Sequence, residues 1–206
     1  MARVVNLKNS SAAREARGRE DLVEVAVELF ARNGFAGTSI RDIADAVGRS
    51  VSNVYHYFEN KEALWLAILE RSVKALPGRL RGALEGIAEP RARIAALVRE
   101  HLDVSEQYRR ESRIFFIDEE RLSASGNKAN KRIQREILSI YVAELEGLRA
   151  AGLLADGDTR VTAFNMLGVI NWYLRWSKPS AGGAKREQTV DQVLAFILRG
   201  ATGSER

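Results

Sequence analysis

The chain has 206 residues, 46% of them hydrophobic, and a net charge of +5. That length suits one compact domain or a small one plus a medium one, with enough apolar content for a core. There are no cysteines, and the two histidines (His56 and His101) fall in separate segments. This excludes a disulfide framework or thiolate metal site and argues against a metal centre or a histidine-based catalytic triad.

No run approaches the roughly 18 consecutive apolar residues of a membrane span. The N-terminus lacks the apolar core of a signal peptide. The expectation is a soluble, cytoplasmic protein without a membrane partner. No alternating runs bounded by turn signals appear, so the expected fold class is all-α.

Residues 1–18 are small, polar and basic, with Lys8, Arg14 and Arg17 and no clear periodicity. They read either as a flexible tail or as an arm adding phosphate or minor-groove contacts. From residue 20 to 34, Leu22, Val25, Ala26, Leu29 and Phe30 form one helical stripe, and Asn33-Gly34 stops it. Two short helices follow. In the first, Ile40, Ile43, Ala44 and Val47 keep the i, i+3, i+4, i+7 spacing of one face. Thr38 or Ser39 supplies its N-cap oxygen, and Gly48 suits its C-terminus. Ser50 then caps a helix over about 51–57, anchored by Val51, Val54, Tyr57 and Phe58. Helices this short need a partner to pack on, which the 20–34 helix provides. The layout is that of a helix-turn-helix, a unit that also serves as plain packing in other proteins.

The run FARNGFAGTSIRDIADAVGRSVSNVYHYFENKEALWLAIL resembles the N-terminal domain of the tetracycline-repressor (TetR) family of bacterial regulators. Thr38, Ile43-Ala44, Gly48, Ser50, Tyr55, Tyr57-Phe58, Lys61-Glu62 and Leu64 carry the resemblance, over about residues 20–70. Two features depart from the common pattern. Arg49 stands where an apolar residue is usual, and Ser52-Asn53 replaces a frequent Gly-Thr or Pro-Thr pair. The resemblance implies a homodimeric, ligand-responsive regulator on double-stranded operator DNA, and no enzyme. Charge alone does not argue this, since residues 1–61 hold nine basic and eight acidic side chains.

The expected division is a tail at 1–18, a helix-turn-helix domain at 19–60, and a helical ligand-binding and dimerisation domain at 61–206. Thr38, at a helix N-terminus, offers a hydroxyl and amides to a phosphate. Ser50 joins the DNA face as the cap of the second helix. Tyr55, His56 and Lys61 resemble the family's backbone-contacting positions. Arg41, Arg49, Ser52 and Asn53 are candidates for base edges, because arginine pairs with guanine and asparagine with adenine through two hydrogen bonds. Arg49 reads equally as a solvated turn residue, and His56 as a packing residue near the aromatic cluster.

Beyond Asn60, the cap of a helix from Lys61, Pro77-Gly78 predicts a kink or break. Pro90 opens the next helix, with Ile94, Leu97, Val98, His101 and Leu102 on its apolar face. A segment at 108–122 holds Phe115 and Phe116; SASGN at 123–127 reads as a loop, and a long helix spans about 128–151. Residues 161–176 are apolar nearly all round and so require burial on more than one side. A striped helix covers 187–200. The resemblance implies that these last two helices pair with their copies as a four-helix dimer interface, through Phe164, Val190, Val193, Leu194, Ile197 and Leu198. The alternative is that they close the monomer core.

The candidate pocket residues are Phe115, Phe116, Tyr141, Asn171, Trp172 and Arg175. Asn171 and Arg175 stand out as polar positions in an apolar helix. The C-terminal pattern, with Asn171-Trp172, Trp176, Pro179 and Phe196 to Gly200, resembles a branch of the family that governs fatty-acid or steroid-ring breakdown and senses acyl-CoA thioesters. It implies no cofactor but a lipophilic effector such as an acyl-CoA, with Arg175, Lys178 and Arg132 as possible phosphate partners. Alternatives are a sensor of lipophilic drugs controlling an efflux gene, a non-specific DNA-binding protein, or an acyl-CoA-handling enzyme. Against the enzyme, no nucleophile is paired with a plausible base.

Overall fold

The computed structural model describes residues 2–111, 114, 123–177 and 184–202. The described residues are helical or turn, without strands: α1 (Ala2–Asn33), α2 (Ile40–Val47), α3 (Val51–Tyr57), α4 (Lys61–Ser72), α5 (Leu76–Gly82), α6 (Pro90–Gln107), α7 (Ala124–Ala150), α8 (Thr159–Trp176) and α9 (Ala184–Thr202). They pack as two units. One comprises residues 1–72 with 110–128, the other 73–109 with 129–206. Helix α4 thus packs within the first unit, whereas the division expected from the sequence fell before it.

The first unit is built on α1. Helices α2 and α4 pack on it and α3 packs on α2; the buried residues of this unit include Leu22, Val23, Ala26, Val27, Leu29 and Phe30 of α1, Ile43 and Ala44 of α2, Val54 of α3, and Leu64, Trp65, Ile68 and Leu69 of α4. Local chemistry sets the short helices. Ser39 caps α2 in a reciprocal box with Asp42, and Gly48 ends it at φ 69°, a left-handed conformation that suits glycine. Ser50 caps α3, its hydroxyl accepting from the Asn53 amide. Asn60 accepts from the Ala63 amide at the start of α4.

Three expectations change. Residues 2–18 are not an irregular tail, because α1 is continuous from Ala2. The break near Pro77 comes earlier: α4 stops at Ser72, and Pro77 sits in the first turn of α5, where its missing N–H costs nothing. Of the loop at 123–127, Ser123 is instead a cap. Its hydroxyl accepts from the Gly126 amide as α7 begins at Ala124.

In the second unit α6 packs against α5, α8 and α9. Its Ile94, Leu97, Val98 and Leu102 are buried, together with Ile133, Ile137, Leu145 and Leu148 of α7. Arg93 stitches the unit. Its guanidinium donates to both carboxylate oxygens of Glu144 and to the carbonyls of Leu84 and Ile87.

Candidate nucleic-acid interface and effector body

The two capped helices put three kinds of side chain on the DNA-side candidates. Arg41, Ser50, Ser52, Tyr55 and His56 are exposed, and Asn53 is half-buried. Others are consumed inside the unit. Thr38 is buried, and its hydroxyl donates to the Gly34 carbonyl at 2.9 Å. It braces the turn between α1 and α2, which corrects its expected role as a hydroxyl donor to phosphate. The Lys61 ammonium donates to the carbonyls of Phe35 and Thr38 at 2.6 and 2.8 Å, and lies 4.3 Å from the Phe35 ring centre. It ties the start of α4 to the same turn.

Arg49 is neither a free base reader nor a solvated turn residue. Its Nη2 donates to Asp21 of α1 at 2.9 Å, and its Nη1 donates to the Gly18 carbonyl at 3.1 Å. Asp42 is held below the ordinary carboxylate range, first by the Ser39 backbone N–H and then by the Ser39 hydroxyl.

In the second unit, His101 and Tyr141 are buried and share a hydrogen bond of 2.8 Å. Burial pushes the imidazole down to about 4 and the phenol up. Both are uncharged at neutral pH. Phe115 and Phe116 lie outside the described residues. Asn171 is half-buried, but Trp172 and Arg175 face outward on α8. Tyr141 and the outward pair therefore do not form one interior pocket. A groove of about 540 Å³ that the sequence did not signal is lined by Arg81, Leu84, Arg93, Ser139, Ile140 and Glu144, among others. Its cations are already paired, Arg81 with Glu136 and Arg93 with Glu144.

The last two helices sort their apolar residues differently from the sequence expectation. Val190, Leu194 and Ile197 are buried inside the second unit, and Val193 and Leu198 are half-buried. They belong wholly or partly to the protomer core, because α9 turns this stripe toward α6 and α8. The outward apolar face of α8 consists of Val161 (56% exposed), Phe164 (52%), Trp172 (63%) and Trp176 (68%), and Phe196 (66%) is exposed on α9. Of the six residues expected at a dimer interface, Phe164 is the one on this face.

A profile described as "Bacterial regulatory proteins, tetR family" matches residues 22–68, and one described as "Tetracyclin repressor-like, C-terminal domain" matches residues 88–201. The chain belongs to the tetR family. The transcriptional repressor KstR2 of Mycolicibacterium smegmatis is 27% identical over 196 residues, covering 91% of this chain and 92% of that protein. The structure of the ketosteroid transcriptional regulator KstR2 of Mycobacterium tuberculosis superposes with a TM-score of 0.81 at 26% identity, over 90% of this chain and 95% of that one. The regulator AibR, solved with isovaleryl coenzyme A and operator DNA, gives a TM-score of 0.76 at 21% identity, over 91% of this chain and all of that one. As a member of the tetR family, the protein is a ligand-responsive, DNA-binding transcriptional regulator and not an enzyme. Among the described residues, no helix is long and apolar enough to cross a membrane.

Proposed function

We propose that the protein is a cytoplasmic, homodimeric repressor that leaves a palindromic operator when a CoA thioester of a lipophilic acyl group binds its second unit. The observation that carries the dimer is the outward face of Phe164, Trp172 and Trp176 on α8, with Phe196 exposed on α9. Large apolar patches on soluble proteins mark interaction sites, and a two-fold pairing covers the same patch on both copies. Two copies of α3 then have to sit about 34–36 Å apart to enter successive major grooves. An effector that binds one spacing better than the other shifts the population between them.

Two features support a thioester over a free fatty acid. The buried polar residues identified in the second unit are His101, Ser105, Asn130 and Thr159, all uncharged at neutral pH. A carboxylate buried among them would lack a cation. Arg175, one turn beyond Trp172, has no ion-pair partner among the described residues and offers a cation to CoA phosphates on the exposed side. AibR, which shares the fold, was solved with a CoA ester of this kind and with operator DNA, the two ligands that the proposal assigns to this chain.

The test is release of a fluorescent operator by a series of acyl-CoAs, with free CoA and the matching fatty acids as controls. Release by thioesters alone supports the proposal. Release by unrelated lipophilic drugs, with no response to any thioester, rejects it in favour of a drug sensor.

A further inference from the structure

Arg49 lies between the two capped helices and its guanidinium is bonded inside the first unit, so its use there needs an explanation. Helix α3 is tied to α1 at successive turns. Glu15 lies 3.9 Å from His56 Nε2. Gly18 passes so close under α3 that a Cβ there would stand 2.6 Å from the Tyr57 hydroxyl and 2.9 Å from Arg49 Nη1. A glycine inside a helix is unfavourable relative to alanine, and this close approach accounts for it. Asp21 completes the set through its ion pair with Arg49.

The same guanidinium reaches forward. Arg49 Nη1 donates to Asn53 Oδ1 at 3.5 Å, while the Asn53 backbone amide is held by Ser50. A cation attracts the carbonyl end of a carboxamide and repels its N–H₂ end, so charge decides which way the amide faces. Nδ2 of Asn53 has no partner among the described residues.

We infer that Arg49 is a positioning residue for base reading: held to α1 by Gly18 and Asp21, it fixes the Asn53 carboxamide so that Nδ2 is the group α3 presents to a base edge. This rests on α3 being the recognition helix. A donor matches purine N7, guanine O6 or thymine O4, and mismatches cytosine, whose major-groove edge carries a donor. At the position Asn53 meets, the operator excludes cytosine. Helix α1 then contributes to specificity without touching DNA.

The test is operator selection from random duplexes by the full chain and by Arg49→Met, Arg49→Lys, Asp21→Ala, Asn53→Ala and the Arg49→Met/Asn53→Ala double variant. Thermal unfolding confirms that each variant is folded. The expected result is that Arg49→Met relaxes one position per half-site by about tenfold and leaves the salt dependence unchanged. Asp21→Ala relaxes the same position to a smaller degree, and the double variant matches Asn53→Ala. Two results overturn the inference. One is a salt slope reduced by about one phosphate contact and rescued by Arg49→Lys, which makes Arg49 a direct phosphate ligand. The other is additive loss in the double variant, or no change at the Asn53 position. If the wild-type chain enriches no sequence at all, the recognition reading itself fails, a result distinguishable from an enriched operator that Arg49 does not affect.

Discussion

The two units of this regulator differ in the length of the helices they hold and in the bonds that place them. The first relies on side chains that bond backbone: Thr38 to Gly34, Ser39 and Ser50 to helix starts, Lys61 to Phe35 and Thr38, and Arg49 to Gly18. The second has longer helices whose apolar stripes carry most of the packing, joined by ion pairs such as Arg93 with Glu144 and Arg79 with Glu100 and by the bonds of Arg93 to the Leu84 and Ile87 carbonyls. Directional bonds fix the placement of short helices, as reading a groove requires. Stripes tolerate sliding, as a body that answers a ligand requires.

The comparison is tested most strongly inside the second unit. Leu194 is buried against the protomer core. Leu194→Ala should cost about 2–5 kcal/mol of folding stability, as buried leucine truncations do. Chemical unfolding measures it, and sedimentation should show the same assembly as the wild type under native conditions. A dimer that falls apart while the protomer keeps its stability would return Leu194 to the interface.

The next effect is a pH dependence set by His101. Its folded-state pKa of about 4 lies below the ordinary 6.5 because burial disfavours the charged ring. The unfolded chain therefore binds the proton first, and stability rises with pH between those values. It is fully present above about 6.5 and is lost as pH falls toward 4, by at most about 3 kcal/mol. His101→Gln keeps a hydrogen-bonding group beside Tyr141 without a titrating ring. Unfolding curves at pH 4.5 and 7 should differ less in the variant than in the wild type. Equal losses would mean that His101 is not held neutral.

Trp172→Ala probes the outward face. If two copies cover it, the dimer should weaken by about 2 kcal/mol or more, as for large aromatic residues at interface centres. Analytical ultracentrifugation at low concentration reads this directly. Unchanged association would leave the exposed face without the partner proposed for it.

The same contrast explains what the sequence could convey. In the first unit caps and turns are local, so Ser50, Gly48 and Asn60 announced their helices. Long-range uses of the same residue types were not legible. Nothing adjacent to Arg49 indicates that Gly18 and Asp21, 31 and 28 positions away, would hold it. Periodicity showed that α9 has a stripe at Val190, Leu194 and Ile197 but not which neighbour covers it. Nor did it show that α8, apolar nearly all round, would leave Trp172 and Trp176 outside. The Arg81–Glu144 groove depends on the approach of α5, α6 and α7, which no single segment encodes.

The smallest predicted effect separates a cap from a DNA contact. Ser39 accepts from the Asp42 amide in the box that starts α2. Ser39→Ala should lower stability by about 1 kcal/mol. An ordered α2 is a condition for docking, so operator affinity measured well below the melting range should change by no more than the folding loss allows. Asn60→Ala, which removes the cap of α4, serves as the matched control. If affinity falls well beyond the stability loss for Ser39→Ala and not for Asn60→Ala, then the Ser39 hydroxyl also meets a phosphate. That result would move one residue from those that hold the first unit together to those that meet the DNA.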